Sequence, residues 1–384
     1  MAEGGYATDL LLKLTAGMDS RDAGLASQIV FGCLRYQGQL DFLVRYYSHR
    51  KPADVEDKVR IMVRMGLFQL RYLDRIPVHA AVHETVELAK RHRRAAAGFV
   101  NAVLRKVNRA PVKWPDHQTA VSCPAWLIER WEKHFGPGRG EMIARAALEE
   151  PARYIRVRPG DPVTADLDLK PTDVPGCYEL VSGSAGTTRL QDIGSQAIVP
   201  LLDLAPGQSY LDLCAAPGNK TVQALETNIH AIACDISEAR MHQVPAVCPL
   251  VVLDATRPLP FSRKFDRIFI DAPCSGTGTL SRNPEIKWRV EPEELVRFQK
   301  RQAAILRRGL DQLQEGGKLV YATCSLEQEE NEHVVREAVA RRREIRILKQ
   351  MWRLPGREAG DGFFATVLTS EKRTSADVAR EARL

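Results

Sequence analysis

The sequence predicts an all-α N-terminal domain over residues 1–110, a small connecting α+β subdomain over 111–190, and a doubly wound α/β domain over 191–384. Residues 1–110 hold few β-branched clusters and repeat apolar residues at helical spacing. Residues 111–190 are interrupted by Pro111, Pro115, Pro124 and the run Gly136-Pro-Gly-Arg-Gly140, which break regular elements. From 191 onward short apolar runs alternate with helical segments, the pattern of a parallel sheet wrapped by helices.

In the first part, Val59, Met62, Val63, Leu70 and Leu73 fall on one face of a helix. Arg60, Arg64, Arg71 and Arg75 gather on another face, where Leu67 interrupts them. Such a stripe is either a solvated helix face or an RNA contact. Lys90-Arg-His-Arg-Arg94 closes a helix, where cations also suit the helix dipole. In the second part, helices are expected from Leu127 to Phe135 and over 141–149, and a strand from Tyr154 to Arg158. In the third part, strands are expected at Ser209–Cys214, Ala231–Asp235, Leu250–Asp254, Phe265–Asp271 and Lys318–Thr323. Helices are expected from Lys220 to Glu226, from 292 to 315 with a stop at Gly316-Gly317, and from Glu329 to Arg343.

Composition narrows the class. Hydrophobic residues make up 44% and charged residues 27% of 384 positions, so the chain reads as a soluble globular protein with more than one core. No apolar run reaches membrane-spanning length, and Met1–Tyr6 lacks a signal-peptide pattern; cytoplasm and no membrane partner are expected. The eight cysteines include no C-x-x-C pair, so neither a zinc site nor a disulfide framework is expected. The net charge is +7 and uneven: residues 1–110 carry 18 Lys and Arg against 11 Asp and Glu, whereas the remainder carries 37 of each. A localised basic excess points to phosphate contacts with a nucleic acid.

The chemistry gathers at predicted strand ends, where an open α/β sheet presents reactive groups. Cys274 follows Ile270-Asp-Ala-Pro, and Cys324 follows Val320-Tyr-Ala-Thr. Two thiols in small-residue loops suggest covalent attack on an electrophilic carbon, since a thiolate is a strong nucleophile at neutral pH. Cys33, Cys123, Cys177, Cys234 and Cys248 read as small buried hydrophobes. The first strand runs into Cys214, Ala215, Ala216, Pro217, Gly218, Asn219 and Lys220. Small residues there let backbone approach a ligand, and the next helix offers free N–H groups. The loop matches neither G-x-G-x-x-G nor the P-loop pattern. Asp235, Asp254 and Asp271 each end a successive strand; together they favour a nucleoside-bearing cofactor.

Asp212-Leu-Cys-Ala-Ala-Pro-Gly-Asn-Lys-Thr221, Asp271-Ala-Pro-Cys-Ser-Gly-Thr-Gly278, Arg282-Asn-Pro-Glu-Ile-Lys-Trp288 and Thr323-Cys-Ser325 with Glu330-Asn331 resemble the S-adenosylmethionine-dependent RNA cytosine-5 methyltransferases. Gln191–Gln196 and Asp361–Phe364 fit the same family. Gly32-Cys-Leu-Arg35, Arg64–Arg71 and Phe99–Arg105 resemble a NusB-like RNA-binding helical domain. The pairing of the two modules is similar to the bacterial small-subunit (16S) ribosomal RNA methyltransferase B family, over nearly the whole chain.

The resemblance implies a Rossmann-like methyltransferase domain, S-adenosyl-L-methionine as cofactor, and small-subunit rRNA or an assembling ribosomal particle as partner of a monomeric enzyme. It implies that Cys324 attacks C6 of a cytosine, that C5 then takes the methyl group, and that Cys274 assists release. It places Asp271 at the cytosine edge, where it stabilises the adduct, and leaves Lys220 open between lowering a thiol pKa and orienting the base. Cofactor contacts are expected from Cys214 through Lys220, and from Asp235, Asp254 and Asp271. Arg282 and Trp288 are expected in a loop that stacks on or holds RNA, the alternative for Trp288 being simple burial.

Two features depart from the family's pattern. Asn219 replaces a second glycine, a substitution that left-handed backbone geometry tolerates. The interval from Arg240 to Leu250 is short and holds two prolines, which truncates the helix expected there. Two other readings follow: a cytosine-5 DNA methyltransferase, which would attack through Cys274 but require a Glu-Asn-Val motif that the sequence lacks, and a non-catalytic RNA-binding or antitermination factor with a degenerate methyltransferase fold.

Overall fold

A computed structural model describes residues 6–158, 160, 167–183, 186 and 188–371. Part of the expected Pro- and Gly-rich stretch before 188, the opening Met1–Gly5, and the end of the predicted third domain lie outside the described residues. The N-terminal part is helical: α1 (Ala7–Leu14), α2 (Ser20–Arg35), α3 (Gln37–Ser48), α4 (Asp57–Tyr72), α5 (Val78–Arg93), α6 (Ala97–Leu104), α7 (His117–Ala120), α8 (Ala125–Phe135) and α9 (Arg139–Ala146). There follow β1 (Tyr154–Arg156), β2 (Asp168–Pro171), β3 (Cys177–Ser182) and α10 (Ile193–Ile198). The alternating part comprises β4 (Ser209–Asp212), α11 (Asn219–Leu225), β5 (His230–Asp235), α12 (Glu238–Met241), β6 (Leu250–Val252), β7 (Phe265–Asp271), α13 (Ile286–Arg289), α14 (Pro292–Asp311), β8 (Leu313–Thr323), α15 (Glu332–Val339), β9 (Ile345–Arg353) and β10 (Phe363–Ser370).

The chain divides into two compact units, one of residues 1–150 with 280–289, the other of 151–279 with 290–384. The expected connecting stretch 111–190 is thus shared between them, 111–150 with the helices and 151–190 with the sheets.

The helical unit packs around Leu40, Leu43, Val63, Leu67, Val100 and Leu104, all fully buried. Leu67, which interrupts the arginine stripe, is therefore core. The arginines themselves are largely used internally. Arg64 clasps Asp41 with two 2.7 Å bonds, Arg60 holds Asp57, and Arg71 donates to the carbonyls of Asn108 and Ala110. Arg75, Arg91, His92 and Arg94 are exposed. Gly32 is required by packing: a Cβ there would lie 1.9 Å from the Phe68 ring.

Residues 280–289 complete this unit. Buried Glu285 accepts from the Ala7 N–H at 3.0 Å, buried Lys287 donates to the Arg35 carbonyl at 2.9 Å, and Trp288 Nε1 donates to the Leu34 carbonyl at 2.7 Å. Arg35 in turn donates to the Ser281 carbonyl at 2.7 Å. Burial lowers the Lys287 pKa to about 8. Trp288 is half-buried.

The second unit contains a three-stranded antiparallel sheet of order β1-β3-β2 and a seven-stranded sheet of order β6-β5-β4-β7-β8-β10-β9. The first five strands of the larger sheet run parallel, and β10 runs antiparallel between β8 and β9. All five expected strands are present, at slightly different bounds. Two helices differ from expectation. The helix from 292 ends at Asp311, and Gly316-Gly317 falls inside β8, where Gly316 takes φ +74 and the register to β7 shifts. Residues Gln328–Glu330 form a 3₁₀ turn, so α15 begins only at Glu332 and closes at Val339.

Candidate active site

The residues singled out in the sequence converge at the carboxyl ends of β4, β5, β7 and β8. Asp212, the last residue of β4, is buried and accepts from Thr221 Oγ1 at 2.7 Å. Burial raises its pKa to about 7, against the Thr221 hydrogen bond. Between them the chain turns at Gly218, whose φ is +97. A Cβ there would lie 2.9 Å from Val244 Cγ1. The left-handed residue is thus Gly218; Asn219 opens α11 with its side chain accepting from Arg189 at 2.8 Å. Helix α12 is a single turn, and Val244-Pro245 beyond it covers the Gly218 turn.

Asp235 ends β5, and its two oxygens accept the Ala216 N–H at 3.1 Å and the Ser237 N–H at 3.0 Å. Each oxygen retains a lone pair for a further donor. Asp254, just past β6, accepts from the N–H and hydroxyl of Thr256, bonds that hold its pKa below the ordinary value.

The two thiols meet. Cys274 Sγ lies 3.4 Å from Cys324 Sγ, and neither is in a disulfide. Lys220 Nζ is 2.5 Å from Asp271 Oδ2. Burial disfavours the ammonium, but Asp271, then Cys324 and Asp212, more than offset this and raise the Lys220 pKa. Cys274 is held well above the usual thiol range, first by its hydrogen bond to Cys324, then by burial, and further by the charges of Cys324, Glu330 and Asp271. Lys220, Asp271, Cys274 and Cys324 therefore form one electrostatic cluster.

Two family models match the chain: 16S rRNA methyltransferase RsmB/F over residues 199–369, and the NusB family over 3–109. The ribosomal RNA small subunit methyltransferase B of Citrobacter koseri is 31% identical over 404 residues, covering 94% of both chains. That of Yersinia pestis is 31% identical over 397 residues, covering 92% of both. The chain belongs to the ribosomal RNA small subunit methyltransferase B family. Solved structures agree on the fold: PH0851 superposes with a TM-score of 0.78 at 21% identity, covering 94% of this chain and 93% of that one. A methyltransferase homolog from Pyrococcus horikoshii superposes with a TM-score of 0.58 at 22% identity, covering 68% and 100%.

As a member of the methyltransferase B family the protein uses S-adenosylmethionine, and its residues fit that group. Asp235, with a lone pair left on each oxygen, ends β5 and Asp254 follows β6, a glycine turn admits close backbone approach, and the ammonium of Lys220 is already neutralised by Asp271. Among the described residues no His, Cys, Asp or Glu cluster could hold a metal, and no helix is long and apolar enough to cross a membrane.

The sequence reading missed several supports. Arg189 pins the loop by donating to Asn219 and to the Gln243 carbonyl, and Arg240 donates to the Ala216 carbonyl at 2.6 Å. Glu330 is fully buried between the two cysteine loops. Its Oε1 accepts the Ser275 N–H at 2.8 Å and Gln302 Nε2 at 3.0 Å, and its Oε2 accepts both the Ser275 and Ser325 hydroxyls. Asn331 braces the second loop, accepting from Thr323 Oγ1 at 2.6 Å and donating to the Ser325 carbonyl at 2.9 Å. A pairing of Glu330-Asn331 with Ser residues that follow each cysteine is the only signal the sequence offers for this.

Proposed function

We propose that the protein methylates C5 of a cytosine in small-subunit (16S) ribosomal RNA in the cytoplasm, through a covalent adduct between Cys324 and C6. The observation that carries this reading is the contact of two thiols beside the Lys220–Asp271 pair. Bound S-adenosylmethionine supplies an electrophilic methyl group on a sulfonium. Cytosine C5 is a poor nucleophile until a thiolate adds to C6 and makes it enamine-like. The Cys324 sulfur forms that bond within the cluster it shares with Lys220, Asp271 and Cys274. Asp271, held by Lys220, accepts from the cytosine edge and fixes its orientation. The activated C5 takes the methyl, a base removes the C5 proton, and the C6–S bond breaks to return Cys324 as thiolate.

The electrostatics support unequal roles for the thiols. In the free enzyme Cys274 keeps its proton, chiefly because it shares a hydrogen bond with Cys324. A nucleotide in a helix must leave its stack to reach the pair, at a cost of a few kcal/mol.

The test is methyl transfer from tritiated S-adenosylmethionine to 16S rRNA by Cys324→Ala and Cys274→Ala. Cys324→Ala is expected to lose transfer and adduct together; Cys274→Ala is expected to accumulate adduct. Full activity in Cys324→Ala refutes the attack, and transfer to DNA in preference to RNA refutes the substrate.

A further inference from the structure

We propose that Glu330 is a positioning residue of the thiol pair: its carboxylate clasps the two loops that carry Cys274 and Cys324 and sets the sulfur–sulfur contact on which adduct release depends. The clause about release rests on the function proposed above; the clasp itself does not.

The geometry is specific. Ser275 directly follows Cys274, and Ser325 directly follows Cys324. Both hydroxyls converge on Glu330 Oε2, and the hydroxyls themselves lie 3.1 Å apart. Oε1 is taken by the Ser275 N–H and by Gln302, whose Nε2 also donates to the Pro273 carbonyl at 2.9 Å. The carboxylate thus accepts four hydrogen bonds, two on each oxygen. The Glu330 backbone carbonyl accepts from Tyr321 OH at 2.6 Å, which anchors the clasp to β8. Glu330 is fully buried, so it touches neither solvent nor substrate and acts only through the loops it holds.

This arrangement is costly unless it serves geometry. A buried carboxylate disfavours folding unless its oxygens are satisfied, and burial pushes the Glu330 pKa up against those four bonds. The β7 and β8 loops have a direct backbone link, Gly278 N–H to the Cys324 carbonyl at 2.8 Å, but it lies four residues beyond Cys274. The clasp acts at the residue next to each sulfur. Its charge also faces Cys274, alongside Asp271 and Cys324.

The experiment measures the sulfur contact without RNA or cofactor. Diamide takes two electrons and two protons from a thiol pair, and the sulfurs must close from 3.4 Å to about 2.0 Å to bond. Formation of the Cys274–Cys324 disulfide is followed in the full-length protein by peptide mass mapping. Glu330→Ala is expected to slow it about tenfold or more, since about an ångström of misplacement costs a reacting pair up to about a hundredfold. Ser275→Ala/Ser325→Ala removes the same clasp from the other side, leaves the carboxylate its backbone and Gln302 donors, and is expected to slow the disulfide likewise if Glu330→Ala does not fold. Folded variants that form the disulfide at the wild-type rate overturn the proposal. In the presence of rRNA and S-adenosylmethionine, Glu330→Ala is expected to accumulate adduct relative to product, with partial rescue by Glu330→Asp; adduct and product falling in step overturns the role in release. Loss of the disulfide rate with no methyl transfer even by the wild type would sink the proposed function and leave the clasp standing.

Discussion

Substituting Gly278 with alanine would strike the thiol pair through backbone alone. A Cβ on Gly278 would lie 2.4 Å from the Gly362 carbonyl oxygen and 2.8 Å from that of Cys324, against about 3.4 Å for an ordinary contact of this kind. Neither oxygen can rotate away, because both belong to the main chain. Both residues are tied to Gly278: its N–H donates to the Cys324 carbonyl at 2.8 Å, and its carbonyl accepts the Gly362 N–H at 2.8 Å. Relief therefore demands shifts of roughly 0.6 Å at Cys324 and 1 Å at Gly362, the same scale as overpacking that costs about 1–3 kcal/mol. Weakening one hydrogen bond adds about 1 kcal/mol. The expected loss of stability is about 2–4 kcal/mol, and of methyl transfer about ten- to a hundredfold. Gly207→Ala is the control: its φ is +82 and no atom lies within 4 Å of its Cβ position, so it should cost about 1 kcal/mol of stability and no rate beyond that. Thermal unfolding and tritiated methyl transfer to 16S rRNA, measured below the melting range, give both quantities. A folded Gly278→Ala protein with wild-type transfer refutes the view that loop placement sets the rate.

Gly218→Ala combines φ +97 with a Cβ 2.9 Å from Val244 Cγ1; calorimetry is expected to show S-adenosylmethionine binding weakened by about tenfold or more, and unchanged affinity argues against this turn as part of the cofactor site. Arg156→Ala leaves Glu226, which accepts two charged bonds of 2.7 and 2.6 Å at a largely buried site, without its partner; the expected loss is about 3 kcal/mol in thermal or urea unfolding, and a loss under 1 kcal/mol refutes it. Asp212 has its folded pKa raised to about 7, above the unfolded value near 3.9. Its contribution is fully present below pH 4 and is lost as pH rises through 7, on the order of 4 kcal/mol. Unfolding of wild type and Asp212→Asn compared at pH 5 and pH 8 should show the wild type losing more; a pH-independent difference refutes the assignment.

The parallel half of the sheet was legible because each strand is a short apolar run bounded by turn residues. The antiparallel strands β9 and β10 were not read: β9 alternates charged and apolar residues and is mostly exposed, and β10 is defined by the pairing of Phe364 with Thr323 and Trp352, which is tertiary. Gly316-Gly317 reads as a helix stop, yet a bulged strand accommodates the same left-handed turn. At the site, the strand-end residues were visible from local motifs, and so were both cysteines. Gln302 was not, because its partner Glu330 lies 28 positions away and only folding brings it to the cysteine loops. Trp288 and Lys287 show a different limit. A motif identifies residues that matter without telling whether they face a ligand or, as here, the backbone of α2.

The return of residues 280–289 to the helical unit bears on the order in which the protein is made. A domain at the start of a chain ordinarily folds while the ribosome is still extending the rest. Here the helical unit is left without Glu285 for the Ala7 N–H and without the Ser281 carbonyl for Arg35 until a segment 130 residues beyond Glu150 has emerged. At about 5–20 residues per second this is a delay of roughly 7–26 s. Nascent residues 1–150 must wait in an incomplete state, with the guanidinium of Arg35 hydrated where the finished protein buries it. Completion of the helical unit is thereby timed to the translation of the Cys274 loop that immediately precedes Leu280.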